Sequence, residues 1–179
     1  MKQMTLANTI SLIGIAVTAY LLLRKRTQPG ASSEYTPSTT ASVPNPAGVT
    51  RGLRNNNPLN IEYKAGTNWQ GEIIPSGDSR FAQFQTMEYG IRAAFKTLDT
   101  YVNKYGITSL EKIIKRWDPG SSNYINVVCQ LTGYAPNKDM STAQPVEWIK
   151  LVRAMSQMEN GLQLPLAQIK KGWDLYKNV

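Results

Sequence analysis

Residues Pro145 to Gly161 read PVEWIKLVRAMSQMENG, and this stretch decides the fold class. Trp148, Leu151, Val152, Met155 and Met158 recur at three- and four-residue spacing, the pattern of one apolar helix face. Pro145 suits a helix first turn, where its missing N–H costs nothing. Asn160 and Gly161 stop the helix, leaving Glu159 at the end of the apolar run. The same period recurs upstream in Ile91, Ala94, Phe95, Leu98, Val102 and Tyr105, which predicts a helix over 86–106 with Thr86 as N-cap and Gly106 just past its end. Thr108 and Glu111 have capping-box spacing, so a short helix is expected to run to Trp117, before the Pro119-Gly120 break. Asn123 to Leu131, ended by Gly133, and Pro165 through Trp173 to Tyr176 complete the helical set. Residues 60–84 have no helical period. Short β-like pieces at 61–63 and 72–74, with Gly66, Gly71 and Gly77 as turns, predict a small β-hairpin. The expected domain is mainly α with that hairpin near its start.

Outward from this domain the composition changes twice. Thr5 to Leu23 reads TLANTISLIGIAVTAYLLL without a charge and, as a helix, reaches roughly 28 Å, about one hydrocarbon core. Arg24, Lys25 and Arg26 follow at once and outweigh Lys2, so a single transmembrane anchor over 1–26 is expected, with the C-terminal part on the cytosolic side. Residues 27–50 are rich in Ser, Thr and Pro and nearly free of large apolar side chains. Such a stretch cannot bury enough surface to offset its ordering entropy and reads as a flexible linker. Residues 51–179 form the folded domain and hold all four tryptophans.

Composition restricts the chemistry. The chain has 20 Lys and Arg against 12 Asp and Glu, a formal charge of +8, and no histidine. A Ser-His-Asp triad, a Cys-His dyad and a His-ligated metal are therefore excluded. The single cysteine, Cys129, excludes an internal disulfide framework and a Cys-cluster zinc site. No cofactor or metal is expected. The basic residues are dispersed and no phosphate-binding or helix-turn-helix signal is present, which speaks against a nucleic-acid partner.

The most unusual string is Arg51 to Ile61, RGLRNNNPLNI. Asparagines tolerate left-handed backbone and form turns. Their neutral amides also donate and accept, which suits the hydroxyls and N-acetyl groups of sugars. Asn68-Trp69-Gln70-Gly71, Arg80-Phe81-Ala82-Gln83-Phe84, Gly90-Ile91-Arg92-Ala93 and Arg116-Trp117-Asp118-Pro119 follow in order. This set resembles a family of phage-encoded virion proteins placed near the lysozyme-like superfamily. The resemblance implies a lysozyme-like α+β domain, with Asn55, Asn56, Asn57, Asn60, Trp69, Phe81 and Phe84 binding a glycan. Lysozyme-like enzymes often end their acid-bearing helix with Glu-x-Gly, which Glu159-Asn160-Gly161 matches. Glu159 is thus the expected catalytic acid. Its place among Met155 and Met158 at a helix C-terminus is one that raises a carboxyl pKa. Glu72 and Asp78 are the candidates for a second, water-activating carboxylate.

Two functions follow. One is a membrane-anchored virion protein that cleaves peptidoglycan glycan strands during infection, as a glycosidase or as a lytic transglycosylase. Its partners would be peptidoglycan and a lipid bilayer, the internal membrane of a virion or the host inner membrane. The alternative is a non-catalytic structural virion protein linking an internal membrane to capsid proteins.

Overall fold

The computed structural model describes residues 48–178. Six α-helices follow in order: α1 Arg51–Arg54, α2 Met87–Asp99, α3 Leu110–Trp117, α4 Ser122–Thr132, α5 Pro145–Asn160 and α6 Leu166–Lys177. A π-helical segment, Thr100–Lys104, prolongs α2. The 87–104 stretch thus covers the helix expected over 86–106, but the widened turn shifts the register of its last residues. Val102 stays buried and Tyr105 is left exposed.

The core forms where the apolar stripes meet. Met87, Ile91, Phe95 and Leu98 of α2 are buried against α6. There the Trp173 ring meets Phe95 edge-on, with centroids 5.0 Å apart. Gly172 permits the close approach of the two helices, since a Cβ there would lie 2.3 Å from Ile91 Cγ2. Leu151, Val152 and Met155 of α5 are fully buried, as are Ile113 and Ile114 of α3. Full burial of each such side chain contributes roughly 1.5–3 kcal/mol.

Helix ends follow local chemistry with one exception. Ser121 Oγ accepts from the Tyr124 N–H at 3.1 Å, and Gly133 ends α4 at φ 75°. Gly161 ends α5 with the same left-handed geometry, and the Glu147 carboxylate accepts from the Gln144 N–H at 2.7 Å at the other end. The capping box expected from Thr108 and Glu111 does not form. Ser109 takes the N-cap position, and the Glu111 N–H donates to the Pro136 carbonyl at 2.8 Å.

Two expectations are corrected. The lysozyme-like α+β class with a β-hairpin does not hold, because the described residues contain helices and no strand. Single antiparallel bridges, Glu62 with Phe81 and Glu72 with Phe84, stand where the hairpin was expected. The two pieces do not pair with each other: each bonds to the 80–85 segment, Tyr63 N–H to the Arg80 carbonyl and Ile73 N–H to the Gln83 carbonyl, both at 2.8 Å. Asn57 Nδ2 donates to the carbonyls of Ile61 and Ala82, both at 2.8 Å, and Asn56 Nδ2 donates to that of Phe84 at 3.0 Å. Single-pass membrane localisation is not supported either: among the described residues no helix is long and apolar enough to cross a membrane. The stretch Thr5 to Leu23, on which the expected span fell, lies outside the described residues, as do Arg24 to Arg26 and the linker up to residue 47.

Candidate functional site

Thr50, just ahead of α1, meets the end of α5. Thr50 Oγ1 donates to Asn160 Oδ1 at 2.7 Å, and Asn160 Nδ2 donates to the Pro58 carbonyl at 2.7 Å. Gly52 sits inside this junction. A Cβ there would lie 2.6 Å from Asn160 Oδ1 and 2.9 Å from Asn60 Oδ1, so only glycine fits. Asn56 and Asn60 adopt φ of 50° and 51°, the left-handed region that asparagine visits more readily than most residues. These local choices turn the Asn60 side chain toward α5.

Asn60 Nδ2 donates to Glu159 Oε2 at 2.9 Å. Two further groups reach the other oxygen. The Tyr124 hydroxyl of α4 donates to Glu159 Oε1 at 3.1 Å, and the Trp117 indole N–H at the end of α3 donates to it at 3.3 Å. Three separate elements thus hold one carboxyl that itself ends a fourth. Burial pushes the Glu159 pKa above the ordinary glutamate value, and the negative charge of Asp118 adds to this. The three hydrogen bonds favour the ionised form and oppose the rise without cancelling it. Burial, and then the charge of Glu159, push the Tyr124 hydroxyl far up as well, so it stays a neutral donor.

Glu159 opens into a solvent-facing cleft of about 600 Å³. Asn60, Tyr101, Arg116, Trp117 and Phe81 line it. Phe81 lies between two guanidinium groups, with Arg51 and Arg80 at 4.7 and 4.8 Å from its ring centroid. The arrangement is a half-buried carboxyl, its pKa raised, at the edge of a polar groove with aromatic walls. Among the described residues no cluster of His, Cys, Asp and Glu is arranged to hold a metal ion.

Of the residues expected to bind a glycan, Asn60 and Phe81 line the cleft. The others point elsewhere. Asn55 is 5% exposed and donates to Asp78 Oδ2 at 2.8 Å. Asn57 is wholly buried and bridges backbone groups, and Asn56 bonds the 84–85 carbonyls. Phe84 is in the core and Trp69 packs against it.

The two further carboxylates are engaged outside the cleft. Glu72 Oε2 accepts from the Trp69 N–H at 2.8 Å. Asp78 takes Nε and Nη2 of Arg51, each at 2.6 Å, with the Arg80 and Phe81 N–H groups at 2.9 Å. The Arg51 pairing holds its carboxyl well below the usual aspartate range.

Sequence reasoning did not assign Tyr101, Tyr124 or Asn160 to the site. Tyr124 carried a signal, being an aromatic hydroxyl on the apolar face of α4. Asn160 was legible only as a helix stop.

No family model matches the chain. Over 135 residues, 70% of this chain and 82% of its relative, it is 42% identical to Protein P5 of Pseudoalteromonas phage PM2. At that identity and coverage, this chain belongs to the family of phage PM2 Protein P5.

Proposed function

We propose that this chain is a phage virion protein whose folded domain presents an acid-bearing cleft to a glycan strand. Membership in a phage protein family supports the first part. The second part rests on one observation: the Glu159 carboxyl and the Asn60 amide meet at 2.9 Å at the edge of an open groove. In this reading Glu159 protonates the glycosidic oxygen as the C–O bond breaks. The sugar's own hydroxyl then attacks the anomeric carbon and returns its proton to the Glu159 carboxylate. One acid/base group is sufficient for this transglycosylase chemistry. It suits a site in which Glu72 and Asp78 are both committed elsewhere. Asn60 would orient the Glu159 carboxyl, and the open polar groove beside it would receive the sugar. Cell-wall peptidoglycan is the proposed strand.

A non-catalytic structural role in the particle is the second reading, and the family relation supports it more directly than it supports catalysis. Capsid proteins are the partners it implies. A turbidity assay of the full chain on isolated cell walls separates the two. Clearing by the wild type and none by Glu159→Gln supports the catalytic reading. No clearing by either protein, with the chain present in purified particles, leaves the structural role alone.

A further inference from the structure

The acids of the cleft are all engaged. Glu159 receives three donors, Glu62 holds Arg80 at 3.1 Å, and Asp118 Oδ1 accepts from the Gly120 N–H at 3.2 Å. Arg80 is thereby neutralised and also stacked on Phe81. Arg116 differs: none of the ion pairs among the described residues includes it. Its guanidinium lies instead 5.8 Å from the Tyr101 ring centroid and 5.9 Å from that of Tyr105. The side chain is exposed, lines the cleft, and precedes Trp117, whose indole reaches Glu159.

An arginine held over aromatic rings and bonded to one hydroxyl, as Arg116 is to Tyr101, keeps its planar fork oriented and has further N–H groups to offer. That fork matches a carboxylate by two parallel hydrogen bonds. Aromatic support also lowers the entropy lost on binding, because the side chain is already placed. The geometry points to Arg116 as a specificity-determining residue that receives a carboxylate borne by the glycan. The preferred substrate is then an acid-bearing amino-sugar strand rather than a neutral one. This inference rests on the glycan reading of the cleft. The carboxylate has two possible sources, an ether-linked acid on the sugar or the end of an attached peptide, and Arg116 answers to the shared chemistry.

The test is calorimetric binding by the full chain carrying Glu159→Gln, which blocks turnover. Three probes of equal sugar length are used. One is a neutral N-acetylglucosamine oligosaccharide, one alternates with peptide-free N-acetylmuramic acid, and one carries peptide stems on the muramic acid. At least one acid-bearing probe is expected to bind about tenfold tighter than the neutral one, and which one does so identifies the source. Adding Arg116→Met is expected to remove this preference. Arg116→Lys should keep part of it, and raised salt should weaken it. Equal binding of all probes, or a preference that survives Arg116→Met, overturns the inference and leaves the glycan reading standing. Binding of no probe overturns both.

Discussion

The side-chain amide of Asn160 donates to the Pro58 carbonyl at 2.7 Å, so the last residue of α5 is bonded to the segment that carries Asn60. Asn160 is 7% exposed, and its side-chain oxygen accepts from the Thr50 hydroxyl. Asn160→Ala should leave both partners without their bonds and cost about 2–3 kcal/mol of stability. Urea denaturation reads this as a lower midpoint at unchanged slope. A midpoint equal to that of the wild type would show that the junction carries no stability.

Glu159 has a folded pKa above its ordinary value because it is buried. Between those two values the folded state binds more protons than the unfolded state, so stability falls as pH rises through that window. Glu159→Gln should abolish this slope and be as stable as the wild type, or more so, above the window. If the carboxyl is the acid, wall-cleaving activity should fall over the same pH range. Denaturation midpoints at a series of pH values check the first expectation.

Asp78 behaves in the opposite sense. Arg51 and the surrounding donors lower its pKa, so its contribution to stability is present above the ordinary aspartate value and is lost as pH falls below it. Asp78→Asn should flatten the acid limb of the stability profile, and Asp78→Ala should cost about 1–3 kcal/mol near neutrality. Acid unfolding followed by circular dichroism distinguishes the variants.

Gly90 and Gly172 make an internal comparison. A Cβ on Gly90 would fall 1.9 Å from the Asn56 carbonyl oxygen, which is backbone. A Cβ on Gly172 would fall 2.3 Å from Ile91 Cγ2 and 2.5 Å from Ile91 Cβ, so the two helices would have to part slightly. Both alanine variants should be overpacked, at about 1–3 kcal/mol or more, with Gly90→Ala the costlier. Thermal unfolding of the pair decides the ranking.

The helices were legible because each buries one stripe. The spacing of Ile91, Phe95 and Leu98, or of Leu151, Val152 and Met155, has one stable reading, and those residues are buried. The π-helical segment after Asp99 was not legible, since nothing local in TYVNK encodes a widened turn. The hairpin failed for a specific reason. The β-like pieces have adequate propensity, but each bonds to the 80–85 segment and not to the other, and Asn57 ends the first ladder by taking the Ile61 N–H and the Ala82 carbonyl. Periodicity does not report side-chain competition over 25 residues of chain. Glu159 was found from the end of an apolar run, and its nearness to Asn60 is long-range information that spacing alone does not contain. Tyr124 and Trp117 entered the site for the same reason, through the packing of α4 on α5 and the approach of the last residue of α3 to Glu159.

The Thr50–Asn160 bond has a mechanical consequence. A load applied at Thr50 is shared between its bond to Asn160, the residue beside Glu159, and the bond its carbonyl accepts from the Arg54 N–H. A pull there would strain the junction before it reached the hydrophobic interior. The domain's point of attachment and its acidic group therefore share one anchor, and traction on the former would be felt by the latter.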